Sequence, residues 1–173
     1  MSLVEEAIKN WETHRAGVIA EVENVPEEHL GYRVGEGARS FREIAIHIAQ
    51  AGGCFVDEIL KPDGNLFNFF RPDVQAALKA RLPKAQSKAE LVALLRQTGE
   101  DSAARLRAVG EDLATQTMAS RGGPQSRLSA LWFTVAHEMY HRGQLASYER
   151  GFGTVPALTQ QLDAALAAQG GKH

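Results

Sequence analysis

A single cysteine, Cys54, stands in a chain of 173 residues, so no internal disulfide can form. That fits a reducing compartment, and a cytoplasmic protein is expected. Cys54 itself reads as a small buried hydrophobe. Runs of one charge sign are also missing. The net charge is −2 and no stretch is rich in Lys or Arg, which removes the electrostatic footprint of a nucleic-acid binder or an anionic-membrane binder. The apolar runs fall short of a membrane span, and the N-terminus lacks the charged-then-apolar pattern of a secretory signal. Aromatic residues make up only 7% of the chain. No stretch alternates apolar and polar residues as a strand would, and no internal repeat is visible. What remains is an ordinary globular composition, 44% hydrophobic and 23% charged. One domain over residues 1–173 is expected, long enough to bury a core.

Helical signals fill the chain. Three Ser-x-x-Glu boxes, Ser2 with Glu5, Ser40 with Glu43 and Ser87 with Glu90, can cap helix starts reciprocally. The first helix carries Val4, Ile8, Trp11, Val18 and Val22 on one stripe and should stop before Pro26. A second runs from about Ser40 to Leu60, interrupted by Gly52-Gly53, where a kink or a closely passing backbone is expected. Residues 61–65 form a turn, and Phe67, Phe69 and Phe70 follow in an irregular stretch. These aromatics read as pins holding a loop to the bundle, in preference to a pocket wall or a dimer contact. A short helix over Pro72–Leu82 precedes a third long one over Ser87–Val109, which Gly110 should end. A fourth spans Ser126 to Gly151, and a short amphipathic helix after Pro156 reaches Gly170. The expected fold is all-α, a bundle of four long helices with short additional ones.

The stretch His137-Glu138-Met139-Tyr140-His141 carries the chemistry. Histidines at i and i+4 on a helix sit about 6 Å apart along its axis and roughly 40° apart around it. Two imidazoles so placed can reach one ion at about 2.0–2.1 Å. Leu128, Leu131, Val135 and Met139 form one apolar stripe, with Ala130, Thr134, His137, His141 and Tyr148 roughly opposite. Glu138 is the only formally charged residue between Leu128 and His141. Little of this helix should therefore face water, and the histidine face should look into a cleft lined by small side chains.

A divalent ion needs a third ligand. His173 is the last residue and His29 lies in a connector, so both are poor candidates. His14, flanked by Trp11 and Val18, and His47, between Ile44 and Ala51, remain open. Small neighbours favour His47 modestly.

The stretch from Ser40 to Ala49, with His47, and the stretch from His137 to Leu145, reading H-E-M-Y-H-R-G-Q-L, together resemble the DinB family of the DinB/YfiT-like superfamily. Gly153-Thr154-Val155-Pro156 is similar to its closing segment. The resemblance spans nearly the whole chain. It implies a four-helix bundle of up-down-down-up topology and a divalent metal ion held by His47, His137 and His141, with water completing the shell. It also implies homodimers in some members and, among characterised relatives, transferases and isomerases that use a low-molecular-weight thiol. No catalytic residue beyond the metal ligands carries over.

Three neutral imidazoles leave an ion its full charge, which suits activation of water or a thiol for transfer, isomerisation or hydrolysis of a small molecule. Zn and Ni both suit imidazole. Two other readings compete. A structural zinc module is normally closed by four ligands, often Cys, and no Cys lies near the pair. The letters also match the H-E-x-x-H peptidase signature. In its extended form, however, Gln144 and Ser147 stand where Gly and a third His are required. Glu138 is expected to support a ligand or face solvent, and Arg142 to bridge helices or touch substrate.

Overall fold

The computed structural model describes residues 2–80 and 85–170. Four long helices dominate: α1 (Leu3–Asn24), α2 (Phe41–Leu60), α4 (Lys88–Val109) and α6 (Arg127–Gly151). Between them lie the short helices α3 (Pro72–Ala80) and α5 (Asp112–Thr115), and α7 (Ala157–Gly170) follows. The expected end of the short helix at Leu82 falls outside the described residues. One feature was not anticipated. Thr117–Met118 (β1) and Gln125–Ser126 (β2) pair antiparallel around the Gly122-Gly123 turn, too briefly to leave an alternating pattern in the sequence.

The capping boxes at Ser40 and Ser87 form in both directions. At Ser2 only half forms: its hydroxyl accepts from the Glu5 amide at 3.2 Å. The Glu5 carboxylate turns instead to Arg107 on α4. An interhelical ion pair has won over a local cap. Gly110, at φ 62°, ends α4 in a conformation open to glycine.

Two layers of core give the topology. One gathers Val4, Ile8 and Trp11 from the start of α1 with Phe55 and Ile59 from the end of α2. Ala103 and Leu106 from the end of α4 and Leu131 and Val135 from the start of α6 complete it. The other joins Val18 and Val22, Ile44 and Ile48, Leu91 and Leu95, and Leu145 from the opposite ends of the same helices. Hence α1 and α6 run one way and α2 and α4 the other, the up-down-down-up order. Both α1 and α2 pack against both α4 and α6.

Between the layers lies a buried ion pair. Arg15 on α1 donates from Nε to both oxygens of Glu138 on α6, at 3.0 and 2.9 Å, and its Nη2 also pairs with Oε1. Trp11 Nε1 donates to the same carboxylate at 2.7 Å, and Arg15 Nη1 donates to the Leu95 carbonyl of α4 at 2.9 Å. Gly52 is explained here. A Cβ at that position would lie 2.8 Å from Arg15 Nη2 and 3.3 Å from Glu138 Oε1. The glycine makes room for an arginine head, a side chain where the sequence suggested a passing backbone.

A second polar cluster holds α7. The fully buried carboxylate of Glu21 accepts from Arg142 Nε at 3.1 Å and from the Ala157 amide at 2.6 Å. Glu149, equally buried, accepts from Asn24 Nδ2 at 2.8 Å. Burial, with Asn24 opposing and the Glu21 carboxylate adding, pushes the Glu149 carboxyl up to about 8. The folded chain therefore keeps a proton that the unfolded chain loses near the ordinary carboxylate value. Stability from this group is complete in acid, falls as pH rises above that value, and is gone once pH passes about 8. Glu149→Gln, which keeps the oxygen that Asn24 uses, should flatten that slope. At pH 9 it should raise the midpoint of thermal unfolding by roughly 4 °C or more, at about 2–4 °C per kcal/mol for a chain of this size. Melting curves at several pH values test this, and an unchanged slope would remove Glu149 as its source.

Candidate metal centre

At 3.6 residues per turn, neighbouring positions on α6 differ by about 100° in direction, and the structure uses both directions. Glu138 faces α1, whereas His137 and His141 face α2 and meet His47. The ligand nitrogens of the three histidines all lie within 4.8 Å of one another. His47 Nε2 and His137 Nε2 are 3.3 Å apart. Two ligands set tetrahedrally around one ion at about 2.0–2.1 Å would be separated by about 3.3 Å. Among the described residues, no fourth His, Cys, Asp or Glu joins this group. His14 lies elsewhere, beside Glu21, Arg142 and Leu158. Cys54 is a buried thiol whose pKa burial, chiefly, pushes up to about 11, as suits an inert packing residue.

Each ring is held. Gln144 Oε1 lies 2.6 Å from His141 Nδ1. Because that oxygen only accepts, Nδ1 carries the proton and Nε2 keeps its lone pair. His137 packs edge-on against Phe55, with ring centroids 5.1 Å apart, and His47 lies 5.8 Å from Phe69. His137 Nδ1 is buried without a hydrogen-bond partner. Burial, reinforced by the Arg39 guanidinium and the other two imidazoles, holds His47 down at about 3. Burial, with His141, Arg15 and Arg39 adding, does the same for His137. His141 is also lowered by burial, against the opposing bond to Gln144. At neutral pH all three offer lone pairs, which is what a metal requires of imidazole.

The rings floor a cavity of about 410 Å³ lined by Arg39, His47, Phe69, Phe70, Gln75, His137, Tyr140 and His141. Its walls are aromatic, not the small side chains expected from the sequence. Phe69 is buried and Phe70 is 60% exposed at the mouth, so the aromatic stretch forms a pocket wall as well as a pinned loop. Nor is α6 sheltered from water: Trp132, Phe133, Met139 and Tyr140 are all exposed. Met139 therefore leaves the buried stripe assigned to it.

Glu138 neither faces solvent nor supports a histidine; it is fully buried against Trp11 and Arg15. Arg142 bridges helices, through Glu21. The sequence placed Gln144 in the H-R-G-Q stretch without a role for it, and left Arg39 unmarked. The i+3 spacing from His141 was available as a signal for Gln144; nothing local marks Arg39.

The chain belongs to the DinB family, whose model matches residues 1–171. A comparison with curated proteins finds no match. Among solved structures, a DinB-like protein from Bacillus subtilis is similar at 21% identity and a TM-score of 0.65, covering 87% of this chain and 93% of that one. YfiT from Bacillus subtilis is described as a probable metal-dependent hydrolase with an unusual four-helix bundle topology. It is similar at 18% identity and a TM-score of 0.65, covering 87% and 88%. A mutant form of a mycothiol-dependent maleylpyruvate isomerase is similar at 15% identity and a TM-score of 0.66, covering 90% of this chain but 62% of its own. At these identities the likeness shows the fold. Among the described residues, no helix is long and apolar enough to cross a membrane.

Two substitutions separate the faces of α6. Gln144→Ala should weaken divalent-metal affinity by roughly 10–100-fold, the usual cost of losing a ligand's hydrogen-bond partner, with little effect on unfolding. Glu138→Ala should cost about 3–5 kcal/mol of stability by leaving Arg15 buried without its partner, while whatever protein stays folded keeps its metal affinity. Metal titration and denaturant unfolding of both variants check the pair. Metal loss in folded Glu138→Ala would contradict the geometry.

Proposed function

We propose that this chain is a metal-dependent enzyme acting on a small molecule, with a divalent ion, Zn or Ni, held by His47, His137 and His141. The observation that carries the reading is the convergence of three neutral imidazoles on the floor of an open aromatic cavity. Bound there, the ion would supply Lewis-acid chemistry, lowering the pKa of water or of a low-molecular-weight thiol so that either is a nucleophile near neutral pH. Transfer, isomerisation or hydrolysis could each follow from such a nucleophile. The chain's residues supply the rest. Gln144 fixes the His141 tautomer. Phe55 and Phe69 hold the rings and exclude water from their backs. Tyr140 and Gln75 offer polar contacts at the rim.

The description of one structural relative as a probable metal-dependent hydrolase, and of another as mycothiol-dependent, supports this reading. Against a purely structural ion stand the missing fourth protein ligand among the described residues and the open cavity above the rings. Against a peptidase stands Glu138, whose oxygens are committed to Trp11 and Arg15 on the far side of α6. We further propose a cytoplasmic homodimer. Trp132 and Met139 on α6 and Leu158, Leu162 and Leu166 on α7 are exposed, a face that a second copy would cover.

Elemental analysis should find one divalent ion per chain in the wild type and none in His47→Ala or His137→Ala. In cobalt-loaded protein, small cellular thiols should produce a sulfur-to-cobalt charge-transfer band that His137→Ala abolishes. Full occupancy in His47→Ala would remove it from the ligand set. Absence of the thiol band, with hydrolysis of small esters or amides retained, would leave water as the nucleophile.

A further inference from the structure

Arg39 has a fixed backbone and an uncommitted head. Its carbonyl accepts from the Tyr148 hydroxyl at 2.8 Å, and the next residue, Ser40, is the N-cap of α2. Further on, the Arg42 amide donates to the Leu30 carbonyl at 3.0 Å, and the Phe41 amide before it donates to Tyr32. Cα of Arg39 is thereby held at the rim of the histidine cavity. The side chain is exposed, and among the described residues it makes no salt bridge, whereas Arg15, Arg33, Arg71, Arg96, Arg105, Arg107 and Arg142 each pair with a carboxylate.

The surroundings of that head are short of anions. Arg39 borders the cavity over the histidines and two adjoining ones, of about 880 Å³ toward α6 and about 490 Å³ toward α3. Across all three linings the only acidic residue among the described residues is Glu43. Its carboxylate already accepts from Arg33 at 2.8 Å and from the Ser40 amide at 2.7 Å. Directly over the histidines, Arg39 is the only formally charged side chain among the described residues. Among the described residues, the site has three neutral imidazoles, a guanidinium without a carboxylate partner and one neighbouring carboxylate already committed to Arg33, so it lacks an anion to match its cation.

We propose that Arg39 is a substrate-anchoring residue that takes the carboxylate of a small organic acid, placing the body of that acid against the aromatic wall of Phe69 and Phe70 and its reacting end over His47, His137 and His141. The inference rests on the reading of this cavity as the active site. A guanidinium presents a planar fork that matches the two oxygens of a carboxylate. One fork beside aromatic walls suits a carboxylate with an apolar body better than a phosphate, whose three oxygens call for more donors. Lys79, on the cavity toward α3, lies off the lining over the histidines and does not substitute for Arg39 there.

Calorimetric titration with phenylpropionate and with the uncharged phenylpropanol tests the proposal, on zinc-loaded and on chelator-stripped protein. Wild type should bind the acid at least about tenfold more tightly than the alcohol in both forms, in line with the worth of a charged hydrogen bond. Arg39→Gln should bring the acid down to the level of the alcohol, and Arg39→Lys should keep part of the preference. Zinc content and far-UV circular dichroism of both variants should match wild type, because the side chain is exposed and is not itself one of the three ligands. Equal binding of acid and alcohol by wild type, no binding of either, or undiminished acid binding by Arg39→Gln would each overturn the assignment. Tighter binding of phenyl phosphate than of phenylpropionate would overturn the choice of carboxylate. A protein that takes up no metal yet keeps an Arg39-dependent preference would sink the metal-centre reading and leave the anchor standing. A loaded centre without the preference would do the reverse.

Discussion

The pairing of Arg15 with Glu138 is the constraint on which the rest of the bundle turns. It sets the rotation of α6 about its own axis, and that rotation decides where every neighbouring side chain points. With Glu138 drawn onto α1 by Arg15 and Trp11, His137 and His141 are carried round to α2, where His47 waits. A buried ion pair is a weak source of net stability, because desolvation offsets much of the Coulomb attraction. Its value here is orientation. A rotation of α6 that moved the histidines off their shared point would pull a buried carboxylate from Arg15, and the site is protected to that extent.

The arginine head is accommodated by the backbone around it. Gly52 on α2 and Gly99 on α4 both face it, and a Cβ on Gly99 would lie 3.2 Å from Arg15 Cγ. The second polar cluster repeats the device one turn along. Arg142 fills the space over Gly17 and reaches Glu21, which in turn holds the first amides of α7. Thus the H-R-G-Q stretch does three things within four residues. His141 faces the cavity, Arg142 ties α6 to α1 and α7, and Gln144 returns to fix the His141 ring.

Much of this was legible in the chain. Two of three capping boxes, the apolar stripes of α1, α2 and α4 and the ends of the helices followed from local rules, because local hydrogen bonding and burial decide them. The three histidines were brought together by the i/i+4 spacing and the family resemblance; spacing alone left His14 in contention. What failed was whatever depends on a partner distant in sequence. Glu5 abandoned its cap for Arg107, and Gly52 made room for Arg15. Met139 sits at an apolar helical spacing yet faces outward, since the turn that buries Glu138 and His141 exposes it. Charge in a sequence predicts exposure until a partner is known, and Glu138 and Arg15 lie 123 residues apart.

For the same reason the letters H-E-x-x-H cannot by themselves specify a peptidase. The motif needs its Glu to lean toward the ion's open side so that it can take a proton from water. Helical geometry permits that but does not require it, because a residue about 100° from the first His can serve either the cavity or the next helix. Which it serves depends on where a cation sits. Here the cation is Arg15, behind α6, and the carboxylate follows it. Among the described residues, the open side is left to aromatic rings, Gln75, Tyr140 and Arg39, groups that can bind and orient a ligand but include no carboxylate base. If the proposed ion binds there, chemistry in such a site would draw its nucleophile from a small molecule made acidic by that ion, and the protein's part would be to hold the acceptor still against it.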